Sequence, residues 1–302
     1  MIGTLFEQAL SRRAEGRSEE AEALAVQALG LLDHESPDPI DSANLLQFLA
    51  GLRQELGDLE AAERHGRRAL EILEGASLQG PDPDRLKVQS LGTLAGVLQA
   101  RGRYEDAEDL YLRGLALAEG ALGPEDLDLA ALLNGLGVLH KFQGRYDEAE
   151  PLYLRALAIA EAVHGAESPE LAALFHNLGG LEHGRGRPER GEPWARRGLA
   201  LREAALGSGH PEVASDQAAL AAILDAQGRF EDAEPLYRQA LATFERVFGQ
   251  EHYEVSAVLA NLAVLHQARG DAAGTRPGRS GFTAAPWRSR NKRWVESIRT
   301  WR

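Results

Sequence analysis

The stretch Gly144–Glu161, GRYDEAEPLYLRALAIAE, decides the fold because near copies of it recur along the chain at a fixed spacing. Copies begin at Gly102 (GRYEDAEDLYLRGLALAE), Gly186 (GRPERGEPWARRGLALRE) and Gly228 (GRFEDAEPLYRQALATFE), in steps of 42 residues. Weaker copies begin at positions 16 and 57, and position 270 opens a further one. A fixed period of this length predicts a stack of similar units instead of one globular core.

Each unit is predicted to be a pair of helices. Apolar residues recur at helical spacing on both sides of the glycine, as in Leu132, Leu136 and Leu139 before Gly144 and Leu157 after it. A glycine at the joint can adopt the left-handed conformation that closes a helix, and the acidic residues after it suit the positive end of the next helix. The unit is therefore a helix hairpin.

The repeated pattern Gly-Arg-Tyr-x-x-Ala-Glu-Pro-Leu-Tyr-x-Arg-Ala-Leu resembles the long tetratricopeptide repeats of kinesin light chains and their bacterial homologues. The resemblance covers residues 1 to about 270. It implies an all-α fold, a right-handed superhelical solenoid of six antiparallel helix hairpins plus one extra helix. The turn glycines are expected at Gly16, Gly57, Gly102, Gly144, Gly186, Gly228 and Gly270.

The unit that begins at Gly186 departs from the pattern. It has Pro188 where the others have an aromatic residue and Gly191 where they have alanine. We expect this hairpin to pack less tightly than its neighbours and to form a bend.

The resemblance also implies a binding surface, because the family binds peptides on the concave face that the first helix of each hairpin lines. Groove-facing positions lie 13, 10, 6, 3 and 2 residues before the turn glycine. Amide side chains there can donate and accept hydrogen bonds, so they could hold a peptide backbone; the alternative is an unspecialised solvated surface. The polar residues at these positions are Asn44, Gln47, Gln54, Gln89, Gln99, Asn134, Lys141, His176, His183, Ser215, Asp225 and Gln267.

Histidines offer weaker alternatives. His176, His183 and Asp225 could together hold a metal, but the two histidines are seven apart instead of the usual four, so we expect no metal site. His210 and His252 precede first helices and match the loop histidine of the family, which indicates a structural role.

Composition excludes several classes of protein. The chain has no cysteine, which excludes disulfides and thiolate zinc sites, and no nucleophile elbow, P-loop or dinucleotide motif. We expect no enzymatic activity, no cofactor and no small-molecule substrate. No signal peptide or membrane-length apolar run is present, so we predict a cytoplasmic protein, and its arginine and alanine bias suggests a bacterial source.

Charge is unevenly distributed between the array and the tail. Residues 1–270 carry 25 basic and 44 acidic side chains, whereas residues 271–302 carry 8 and 2. The acidic array disfavours nucleic acid and favours basic partner segments through long-range attraction.

The tail, residues 271–302, breaks the repeat and holds Trp287, Trp294 and Trp301 at a spacing of seven. This pattern would suit a membrane, a calmodulin-like partner or RNA. We favour a frameshift instead, since a shifted frame from Ala285 can read ALAIEEQAVGGVHPDVA, close to the repeat ALAIAEAVHGAESPELA that begins at Ala156. A frameshift predicts a poorly ordered tail and a sticky end where Leu259, Leu262 and Leu265 lose their cover.

Two functions remain open from the sequence. The first is a non-catalytic scaffold that binds a protein or peptide. The second is a regulatory fragment of a larger signalling enzyme or protease, truncated by the frameshift.

Overall fold

A computed structural model describes residues 2–34, 38–76 and 81–272 of the chain. Those residues contain thirteen α-helices and one short 3-10 turn at Pro169–Leu171. Successive helices pair as six antiparallel hairpins followed by one extra helix, as predicted. The helices are α1 (Ile2–Ala14), α2 (Ser18–His34), α3 (Pro39–Glu55), α4 (Leu59–Gly75), α5 (Pro81–Ala100), α6 (Tyr104–Ala121), α7 (Leu127–Phe142), α8 (Tyr146–His164), α9 (Ala172–Gly184), α10 (Pro188–Leu206), α11 (Pro211–Ala226), α12 (Phe230–Phe248) and α13 (Tyr253–Ala272).

The helices fall into two compact units, and the chain passes from the first to the second between Gly165 and Ala166. The first unit contains α1 to α8 and the second contains α9 to α13. Among the described residues, no helix combines the length and hydrophobicity that crossing a membrane requires.

The predicted turn chemistry is present at six of the seven glycines. At Gly102 the backbone has a φ of 76°, and the amides of Gly102 and Arg103 donate to the carbonyls of Gln99 and Leu98. These bonds satisfy carbonyls that the end of α5 would otherwise leave unpaired. The same positive φ occurs at the equivalent turn glycines 16, 57, 144, 186 and 228.

Gly270 is not a turn residue, which corrects the prediction. Helix α13 continues through it to Ala272. Gly270 is followed by Asp271 and two alanines instead of arginine and an aromatic residue, and alanine favours continuation of a helix. Of the predicted tail, residues 271–302, the first two belong to α13, and residues 273–302 lie outside the described part of the chain.

The hairpin of α9 and α10 is also different from the prediction, because it packs more closely and not more loosely. A Cβ atom added at Gly191 would lie 2.7 Å from the carbonyl oxygen of Gly179. One added at Gly198 would lie 3.0 Å from the carbonyl oxygen of Ala172. The two backbones therefore touch along a row of residues without side chains, and Gly191 is what permits the contact.

The end of the second unit is better covered than predicted. Leu259, Leu262 and Leu265 are buried in a cluster that also contains Tyr237 and Phe244 of α12. These leucines face the preceding hairpin, so they need no following helix to cover them. The predicted sticky leucine end is therefore wrong for the described residues.

A glutamate in the second helix of a hairpin links it to the next hairpin. Glu63 of α4 accepts hydrogen bonds from Arg101 and Arg103, and Glu108 of α6 accepts them from Arg145 at 2.9 Å. The same link joins Glu192 to Arg229 and Glu234 to Arg269 within the second unit. The Glu of the repeat motif thus holds its hairpin to the next one through an Arg beside the turn glycine, and Glu234 holds the last hairpin to α13 through Arg269.

Glu63 and Glu108 remain ionised despite partial burial. Burial alone would raise the pKa of Glu63, but hydrogen bonding and charge from Arg67, with the charges of Arg103 and Arg101, outweigh it and lower the pKa. The pKa of Glu108 is lowered in the same way, by Arg145 and His140 acting against burial. The links of Glu63 and Glu108 are therefore ion pairs at neutral pH.

Candidate functional site

A groove runs over the first helices of consecutive hairpins in the first unit, α3, α5 and α7. It consists of three adjoining cavities of about 420, 270 and 390 Å³, here the first, second and third. The first and second share Gln47, Gln89 and Thr93, and the first and third share Tyr111 and Gly135. We call these three cavities together the amide groove.

Residues without large side chains make the space. Gly92 and Gly135 line the first cavity, Gly51 the second, and Gly96 and Gly135 the third. Tyr111 comes from α6, the second helix of its hairpin, and reaches between α5 and α7. A Cβ atom at Gly135 would lie only 2.6 Å from its ring, so the glycine is required for the tyrosine to pass.

Tyr111 forms the floor where the first and third cavities meet. Its side chain is buried, and burial raises the pKa of its hydroxyl to about 12. The phenol is therefore neutral at physiological pH and presents an uncharged ring and hydroxyl to the groove.

Two glutamines of the groove are held in defined orientations. Gln89 donates from Nε2 to Oδ1 of Asp128 at 3.1 Å, and because a carboxylate only accepts, this fixes the amide nitrogen toward the aspartate. Ser90 donates from Oγ to Oε1 of Gln47 at 3.4 Å. Gln89 is left with its carbonyl oxygen and Gln47 with its NH₂ group for a ligand.

Charges beside the groove are paired with each other. Arg85 donates to Asp126 and Asp128 at 2.7 and 2.5 Å, and Arg13 donates to Glu55 at 2.5 Å. The hydrogen bonds that Arg85 donates to Asp126 and Asp128 raise the pKa of Arg85. Among the described residues, the only charged ones that line the three cavities are Arg13 and Asp128, and both are ion-paired.

Five of the seven site residues predicted for the first unit line this groove: Asn44, Gln47, Gln54, Gln89 and Gln99. Asn134 and Lys141 lie on α7 but are not among the residues that line the cavities. Burial lowers the pKa of Lys141.

The prediction missed residues that are apolar, that lie at other positions of a first helix, or that come from a second helix. Tyr111, Thr93, Tyr104 and Phe142 all line the groove. The position of Phe142, two residues before Gly144, is one of the groove-facing positions, so the spacing could have found it. Tyr111 could not be found in this way, since it belongs to a second helix.

The residues predicted for the second unit do not form one site. His176 pairs through Nδ1 with Asp216 at 2.7 Å, and Arg202 donates to the same buried carboxylate at 2.6 Å. Asp225 lies near His183 instead, and burial raises the pKa of Asp225 against the opposing charge of His183. Ser215 donates to the carbonyl of Pro211, and Gln267 is exposed on α13.

His176, His183 and Asp225 are therefore not brought together as a metal-binding set. Within residues 2–34, 38–76 and 81–272, no three histidines, aspartates or glutamates are grouped so that they could hold a metal ion. His210 and His252 cap helices: their Nδ1 atoms accept from the amides of Glu212 and Glu254 at 3.2 and 3.3 Å.

Comparison with known proteins gives a family match and several similar structures. Residues 86–162, 128–204, 170–246 and 216–273 match the family model of the tetratricopeptide repeat. BtubC (BKLC) from P. vanneervenii has a TM-score of 0.60 and 23% identity, over 89% of this chain and 98% of that one. A Podosopora anserina protein described as a kinesin light chain has a TM-score of 0.55 and 23% identity, over 70% and 98%.

A Rap protein complexed with competence and sporulation factor also has a similar fold. Its TM-score is 0.55 and its identity 19%, over 90% of this chain and 76% of that one. No curated protein matches the chain significantly. At these identities the similar structures establish the shared fold.

Proposed function

Because this chain belongs to the tetratricopeptide repeat family, we propose that it is a non-catalytic scaffold that binds an extended peptide segment in the amide groove. The observation that carries the proposal is the orientation of Gln47 and Gln89 on adjacent first helices. Gln47 presents the donors of its NH₂ group and Gln89 presents a carbonyl acceptor. These groups can pair with the C=O and N–H groups of a peptide backbone. The Rap protein, which is complexed with a factor, lends support as a protein of similar fold.

Orientation before binding matters because it reduces the entropy lost on association. Asp128 and Ser90 already hold the two amides, so fewer side-chain rotamers are fixed when a peptide arrives. A site that hydrogen-bonds to the backbone of its ligand also accepts peptides with many different side chains, as a scaffold requires.

The experiment is selection of a phage-displayed random octapeptide library on the full chain. Selected peptides should bind a Gln47→Ala/Gln89→Ala double variant at least about tenfold more weakly, since two hydrogen bonds of about 1 kcal/mol each are lost. The matched control is Gln8→Ala/Gln27→Ala, which makes the same chemical change at exposed positions on α1 and α2 outside the cavities.

Circular dichroism establishes that both double variants keep the helical fold. If selected peptides bind the Gln47→Ala/Gln89→Ala variant as tightly as the original chain, the groove is not their site. Failure to select any peptide would also count against the proposal.

The second predicted function, a regulatory fragment of a larger signalling enzyme or protease, stays a prediction, as do the cytoplasmic location and bacterial source. Reading the gene past the Gly270 codon in the shifted frame decides between the two functions. More repeats followed by a stop would favour the scaffold, and a catalytic domain would favour the fragment.

A further inference from the structure

The first and third cavities lie on either side of Tyr111 in the gap between α5 and α7. The first is lined by residues 88–93 of α5 and 128–135 of α7, and the third by residues 96–100 and 135–142 of the same helices. The centres of these ranges are displaced by about seven residues, and a helix rises about 1.5 Å per residue. The cavities are therefore about 11 Å apart along the helix axes.

Both cavities offer apolar contacts. The first has Val88, Leu132 and the Tyr111 ring, and the third has Val138 and Phe142 together with Tyr104. Phe142 is 70% exposed and Tyr104 is 41% exposed at the rim of the third cavity. Exposed large apolar side chains beside a concave surface are typical of a site that another molecule covers.

Neither cavity can compensate a buried charge on a ligand. No charged residue lines the third within the part of the chain that the structure describes, and Asp128 in the first is already bound to Arg85 and Gln89. A charged ligand side chain that entered would lose its hydration without gaining a counter-ion. The net negative charge of the array therefore acts at long range, while the cavities themselves select uncharged groups.

We propose that the two cavities bind two apolar side chains, three or four positions apart, of an uncharged extended peptide segment. The spacing follows from the distance: about 11 Å corresponds to three or four residues at about 3.1 to 3.3 Å each. The Tyr111 hydroxyl between the cavities meets the intervening backbone. This inference rests on the proposed function and specifies the ligand that the amide groove takes.

The test uses the octapeptides selected on the full chain and two cavity-filling variants. Ala131 lines the first cavity and Ala100 the third, and both are exposed, so leucine at either position should fill space without disturbing the fold. Ala116→Leu is the matched control, an exposed alanine on α6 outside the cavities.

Aligned peptides should show two apolar residues three or four apart, and fluorescence polarisation should show a loss of at least tenfold when either is replaced by alanine, lysine or aspartate. Ala131→Leu should weaken the binding of the selected peptides at least tenfold. Peptides that carry a smaller residue at one anchor should recover their binding to this variant. Ala100→Leu should do the same at the other anchor, and Ala116→Leu should bind all peptides as the original chain does.

Selected peptides that need the groove glutamines but carry charged anchors, or that bind both cavity-filling variants normally, would overturn this inference and leave the proposed function intact. Absence of any selectable peptide would overturn both.

Discussion

Replacing Gly191 with alanine should destabilise the chain, although alanine is the residue that the other repeats carry at this position. Ala107, Ala149 and Ala233 are fully buried at the equivalent place. A consensus substitution of glycine by alanine inside a helix ordinarily stabilises, because it reduces the entropy lost on folding. At Gly191 the close approach of α9 and α10 should reverse that outcome.

The magnitude follows from one distance. The added Cβ would lie 2.7 Å from the carbonyl oxygen of Gly179, well inside the usual carbon contact of about 3.5 Å, and backbone cannot move aside as a flexible side chain can. Forcing an extra methyl group into a packed contact costs about 1 to 3 kcal/mol, whereas helix propensity returns about 1 kcal/mol.

Gly30→Ala is the matched control. Gly30 is exposed within α2, and nothing lies within 4 Å of its added Cβ, so this variant should gain about 0.5 to 1 kcal/mol. The two variants should then differ in unfolding free energy by about 1 to 3 kcal/mol, or by roughly 2 to 12 °C in melting temperature.

Thermal unfolding followed by circular dichroism measures the difference, and hydrogen–deuterium exchange locates it. Exchange should accelerate in α9 and α10 of the Gly191→Ala variant and not in α1 and α2, because a repeat array opens locally. If Gly191→Ala stabilised the chain as much as Gly30→Ala does, the close contact between the two helices would be refuted.

Three further outcomes are expected. Glu63→Gln should cost about 1 to 2 kcal/mol in urea unfolding at pH 7, since Arg101 and Arg103 lose their shared carboxylate. Because the folded pKa of Glu63 is lowered, this difference should be complete above about pH 5 and shrink below about pH 4; a constant difference would contradict the ion pair. Asp38→Ala should cost about 1 kcal/mol by removing the side chain that caps α3, and unchanged urea unfolding would exclude that role. Tyr111→Phe should remove from the absorbance titration one phenol that has a pKa of about 12. If the lost phenol instead titrates near the ordinary tyrosine pKa of about 10, the burial of Tyr111 is contradicted.

Much of the fold was predictable because it is determined by the sequence repeat. Six turn glycines, the hairpins and the extra helix follow from residues that recur at intervals of about 42 positions, and each repeat reinforces the same interpretation. Five groove amides also follow, since their distance from the turn glycine determines which face of the first helix they occupy.

The errors arose where a residue depends on another helix. Considered alone, Gly191 predicts looser packing of its hairpin, but because it lies opposite Gly179 it permits contact between the two helix backbones. Tyr111 reaches the groove only because Gly135, 24 positions further along the chain, lacks a side chain. Such pairings are not periodic along the sequence, so a repeat pattern does not contain them.

Photo-crosslinking tests the amide groove most directly. A benzophenone amino acid is placed at Thr93, which lines the first and second cavities, or at Leu112, which is 53% exposed on the second helix α6. With a selected octapeptide present, mass spectrometry should find the peptide attached at position 93 and almost none at position 112. Equal attachment at both positions, or attachment at position 112 alone, would contradict peptide binding in the groove.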